Sequence, residues 1–202
     1  MTNEDTQQQI KQIKQSFRQM MDGSIAKSMR DKGVDYHLNW GATILRLREK
    51  ADEIGKNYDL AIALWKENVR ECKILATMLM PPDEILPEVV DIWMEQTETV
   101  EIAEQAAMNL YQYLPYAPAK AYEWIASDRE LYQLCGFHVL SRLFMNGQEP
   151  NERGINEFLD QAHTALLSPS LTVRKAALNS LNRFAALGLI YQRLADSIFR
   201  RL

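Results

Sequence analysis

Apolar residues recur every three or four positions along almost all of this 202-residue chain, in short stretches divided by proline or glycine. That recurrence marks the buried face of an α-helix. Ile10, Ile13, Phe17 and Met20 make one such face, Ile44, Leu47, Ala51 and Ile54 another, and Cys72, Leu75, Ala76 and Leu79 a third. No stretch alternates apolar and polar residues as a half-buried strand does. Helices of roughly 8 to 18 residues are marginal alone, so each must bury its apolar side against neighbours. A helical solenoid does this in the most regular way, and a compact irregular bundle is the alternative.

The breaks place the helices. The first runs through Met21 and stops at Asp22-Gly23; a second, Ser24 to Lys32, closes at Gly33. A loop from Val34 to Gly41 precedes the helix of Ile44 to Ile54. Asn57 or Asp59 caps the next, which carries Leu60, Ala61, Leu64 and Trp65, and Val69 to Met80 ends against Pro81-Pro82. Pro87 suits a first turn, Thr97 or Thr99 opens a long helix through Leu114, and Pro118 starts one from Ala119 to Ala126. Asp128 caps Arg129 to Met145, Asn151 and then Ser168 or Ser170 cap two more, and Gly188 sets off the last, Leu189 to Leu202.

The total is about eleven helices. Trp65, Trp93 and Trp124 lie 28 and 31 residues apart, near the length of a two-helix repeat. Val173 to Leu178, with Leu181 and Phe184 after it, has the look of the second helix of a HEAT repeat. The fold class is therefore read as all-α, a HEAT-like superhelix or α-α solenoid in one domain, 1–202. Residues 1–33 are its N-terminal capping helices, 41–186 the repeat body and 189–202 a C-terminal helix.

No apolar run approaches the roughly 20 residues of a membrane span. Met1 to Gln9 is polar and glutamine-rich, unlike a signal peptide. Cys72 and Cys135 sit far apart inside apolar patterns, which excludes a disulfide scaffold and fits a reducing cytoplasm. No Gly-rich phosphate loop occurs, His37, His138 and His163 have no metal-ligand company, and no cofactor or metal is implied.

Charge is uneven. Residues 1–80 carry a net +2, residues 81–130 a net −9, residues 131–170 a net −2 and residues 171–202 a net +5. The last set, Arg174, Lys175, Arg183, Arg193, Arg200 and Arg201, can attract phosphate, which the acidic middle would repel. Lys175, Asn179 and Asn182 fall on one helix face. The loop before Arg46 and Arg48 offers Tyr36 and Trp40 for stacking on sugar or base, with the arginines for phosphate; the alternative is that both aromatics cover the end of the first helix pair.

Gly41 to Ala51, a basic helix after a glycine, together with Leu60 to Trp65 and Arg70 to Ala76, resembles a known family. It is that of the DNA alkylation repair proteins, the AlkD-like HEAT-repeat glycosylases. The resemblance spans roughly residues 25–185 and is strongest at 41–80. It implies a superhelix with a concave, basic face toward duplex DNA, and excision of cationic alkylated purines without flipping the base into a pocket. For that chemistry a carboxylate beside the sugar stabilises the oxocarbenium-like state, and aromatic faces favour the cationic base.

The family's catalytic Trp and Asp fall on Val100 and Glu104, its arginine near Leu134-Cys135 and a second Trp near Asn179. Glu104 is thus the catalytic candidate, with Glu101 one turn away. The nucleic-acid-binding candidates are Arg46, Arg48, Arg174, Lys175, Arg183, Tyr36 and Trp40. The expected function is DNA binding within this family, with base excision resting on Glu104. The alternative is a non-catalytic scaffold taking a protein partner on the concave face.

Overall fold

Side-chain oxygens fix the starts of half of the helices. A computed structural model describes residues 3–201, so that Met1, Thr2 and Leu202 lie outside the described residues. Twelve α-helices, one 3-10 turn and no strand occur among them. Asp22 accepts from the N–H groups of Ser24 and Ile25, and so begins α2 (Gly23–Asp31) rather than closing α1 (Asn3–Gln19). Thr43 caps α3 (Ile44–Ile54) and Asn57 caps α4 (Tyr58–Trp65) in the same way. They are followed by α5 (Arg70–Leu79), α6 (Pro87–Glu95) with its proline in the first turn, and α7 (Val100–Asn109).

Two expectations are corrected here. The long helix through Leu114 breaks at Asn109: Leu110 leaves helical geometry, and Tyr111–Tyr113 forms the 3-10 turn. Tyr111 is fully buried with its ring centroid 5.1 Å from that of Trp124, so tertiary packing overrides a sequence that could have stayed helical. Asp128 does not cap α9 (Glu130–Met145); Arg129 holds that position without a side-chain hydrogen bond, and Ser127 accepts from its N–H. Between them lies α8 (Ala117–Ile125). Then α10 (Glu152–Leu166) is capped by Asn151, α11 (Leu171–Ala185) by Ser170, and α12 (Leu189–Phe199) follows Gly188.

The residues gather into two compact units, one running to Gln105 and one from Ala106, with the border inside α7. In the first, α1 packs on α4 while α3 and α4 pack on α5. Phe17, Leu47, Leu64, Trp65 and Leu75 fill its core, and the Trp65 and Trp93 rings stack at 4.2 Å, nearly parallel. In the second, α8 lies on α9, α10 on α11, α9 on α11, and α12 on α11. Phe144, Phe158 and Phe184 form a mutual aromatic cluster with centroids 5.0 to 5.5 Å apart. Burying such rings supplies most of the energy that holds short helices together. Gly136 of α9 lets that helix approach α8 closely, since a Cβ there would lie 2.8 Å from the carbonyl oxygen of Ala121.

Candidate nucleic-acid interface

In the first unit the loop between α2 and α3 is pinned from two sides. Gly41 has φ +73°, and a Cβ on it would lie 2.1 Å from the carbonyl oxygen of Asp22. The Asp22 N–H donates to the Trp40 carbonyl at 3.0 Å. From the other side, the fully buried carboxylate of Glu71 accepts the N–H groups of Trp40 and Ala42. Arg70, 2% exposed, donates to that carboxylate, to the Ala42 carbonyl and, through Nε and Nη2 at 2.8 and 2.6 Å, to both oxygens of Glu101.

Tyr36 completes the network. Its hydroxyl donates to Glu101 Oε2 at 2.7 Å and lies 2.9 Å from Thr99 Oγ1, which accepts from the Ile102 N–H and so caps α7. Burial opposes ionisation of Glu101, but the Arg70 hydrogen bonds and charge, with the Tyr36 hydroxyl, outweigh it and hold the carboxyl below its usual range. Burial likewise drives the Tyr36 phenol up, with the Glu101 carboxylate adding to it, so the hydroxyl stays a donor. The acid expected to share a face with Glu104 is thus an ion-pair partner. Its partner Arg70, with the Glu71 that Arg70 also binds, is absent from the candidate residues; the signal was two opposite charges side by side at the start of a helix whose later positions are mostly apolar.

The remaining first-unit candidates are spread out. Trp40 is half-buried, with the Arg18 guanidinium 5.7 Å from its ring centre. Arg46 and Arg48 are exposed on α3. Glu104 is half-buried on α7, on a stripe with Glu101 and Met108, and Val100 four residues before it is exposed. Within the acidic stretch, Glu88, Asp91 and Glu95 belong to α6, and Asp83, Glu84 and Glu98 to the segments flanking it.

In the second unit two packed helices carry basic residues. From Leu134 onward the α9 helix is buried except at His138, Arg142 and Met145, spaced by four and three residues. It packs on α11, where Asn179 Nδ2 donates to Ser141 Oγ at 3.0 Å. Lys175, Asn182 and Arg183 stand exposed on α11. Arg174 turns back along its own helix start and donates to the carbonyls of Ser168 and Pro169. Arg142 adds a half-buried cation that no motif singled out, at one of the few positions of α9 after Gln133 that are not buried. Neither helix carries an acid after Glu130. Leu134 and Cys135 are buried in the core, and burial drives the Cys135 thiol up, so neither meets solvent.

These helices are of the HEAT-like repeat class: the chain matches a solved structure described as "A new family of proteins related to the HEAT-like repeat DNA glycosylases with affinity for branched DNA structures", with TM-score 0.83 and 19% identity over 93% of this chain and 80% of that one. The chain belongs to the DNA alkylation repair enzyme family, whose model matches residues 13–186. The resemblance carried by Gly41 to Ala76 is borne out, as is the all-α, HEAT-like fold class. No curated protein matches the chain. Among the described residues no helix is long and apolar enough to cross a membrane.

Proposed function

We propose that this chain binds DNA by its phosphate backbone, through the neighbouring helices α9 and α11. The observation that carries this reading is a pair of packed helices presenting Arg142, Lys175 and Arg183 with no carboxylate after Glu130. Asn179 and Asn182 on the same helix add hydrogen-bonding groups of the kind that position a backbone without reading sequence. The affinity for branched DNA stated for the matched structure makes a four-way junction the first ligand to offer beside a plain duplex. A cytoplasmic location is the one this reading expects.

Base excision is the finer form of this reading and rests on Glu104, the one carboxylate at a position matching the family's catalytic acid. Against it, Val100 offers no aromatic face, Leu134 and Cys135 offer no base, and Asn179 is bonded to Ser141. We therefore favour binding without chemistry. Fluorescence anisotropy on duplex and junction, with release of methylated purines assayed beside Glu104→Ala, tests both parts. Release that disappears in the variant would make Glu104 catalytic. Absence of DNA binding even at low salt would turn the reading to the protein-binding scaffold.

A further inference from the structure

Between α8, the end of α9 and the start of α10 lies a cleft of about 270 Å³. Its floor is the buried apolar set Leu140, Leu143 and Phe144; Tyr122 and Gly154 form a wall and Glu149 stands at the mouth. Folding alone accounts poorly for three of its features. Gly154 sits in the first turn of α10 without the positive φ that would call for glycine, and there a glycine weakens a helix relative to alanine. Its missing Cβ makes room for the Tyr122 hydroxyl, which a Cβ would meet at 2.9 Å.

That hydroxyl is itself buried with no hydrogen-bond partner among the described residues, a penalty that phenylalanine would avoid. Burial, with the charge of Glu157, pushes its pKa up to about 12, so it remains a donor. The third feature is a surface cleft whose floor is apolar, where such side chains are ordinarily covered. Local rules broken together at one place mark a site that does something besides fold.

Charge says what the site takes. Around the mouth and along α10 stand Glu149, Glu152, Glu157 and Asp160 against the single base Arg153, and on α8 Lys120 pairs with Glu123 at 3.0 Å. The Glu149 carboxylate is held in place by the Tyr191 hydroxyl at 2.9 Å. A phosphate is repelled here and a cation is drawn in. The volume admits one large side chain rather than a folded element.

We propose that this cleft docks a segment of a protein partner that inserts one large apolar side chain flanked by lysine or arginine. The inference is independent of DNA binding, which uses the α9–α11 face.

The probes are acetyl-Lys-Phe-Arg-amide and acetyl-Glu-Phe-Glu-amide, titrated into the full chain while amide and methyl resonances are followed by NMR. The expected result is saturable shifts at Tyr122, Leu140, Leu143 and Gly154, with the basic peptide at least about tenfold tighter. The surface double variant Glu149→Lys, Glu157→Lys, checked for native circular dichroism, should reverse that preference. No shifts at the cleft, equal binding of the two peptides, or an unchanged preference in the variant would overturn the proposal.

Discussion

Gly41 answers two demands at once, a left-handed backbone and contact with the Asp22 carbonyl. Gly41→Ala should therefore destabilise the chain by on the order of 3 kcal/mol, since a side chain meets both backbone strain and a hard clash. Chemical denaturation against the parent chain measures this, and a loss below about 1 kcal/mol would mean that the loop yields easily. Tyr122→Phe should do the opposite, leaving the melting temperature unchanged or higher, because it removes a buried hydroxyl without a partner. Arg174 teaches a related lesson. As a base at a helix start it reads as an anion ligand, yet its guanidinium donates to the carbonyls of Ser168 and Pro169 in the linker just before its own helix.

The network of Arg70, Glu71, Glu101 and Tyr36 ties the starts of α5 and α7 to the loop before α3. Replacing Arg70 with Met leaves the buried Glu71 carboxylate short of its cation, so Arg70→Met should cost about 3 to 5 kcal/mol. The sign of its pH dependence follows from Glu101, whose folded pKa lies below the ordinary value of 4.5. Its contribution is complete above that value and is lost as pH falls below it toward the folded pKa. Urea midpoints measured downward from pH 6 should fall through this window in the parent chain and less steeply in Arg70→Met.

Elements themselves were largely legible in the sequence, because Asn57, Asn151 and Ser170 fix their helix starts with their own side chains. The break after Asn109 was not, because it depends on where Tyr111 finds Trp124, a partner in another element.

At the scale of the whole molecule, the phosphate-binding reading predicts a salt signature. Arg142→Gln, Lys175→Gln and Arg183→Gln together should weaken duplex and junction binding and reduce the slope of log affinity against log salt by roughly 2 to 3. Unchanged binding by the triple variant would move the DNA face elsewhere. Lys175 and Arg183 could be read from the basic end of the chain, whereas Arg142 stood out only once its neighbours from Leu134 onward were seen to be buried. The family was legible from Gly41 to Ala76, where packing residues carry the pattern. The chemistry was not, because the positions that would carry it hold Val100, Cys135 and Asn179.

The parallel stack of Trp65 on Trp93 has a practical consequence. Two indoles 4.2 Å apart in nearly parallel planes couple their electronic transitions, while Trp124, the second unit's tryptophan, lies tilted 5.1 Å from Tyr111. The first unit thus carries a paired near-ultraviolet circular dichroism signal that the second lacks. Loss of that signal would time the melting of the first unit by its own light.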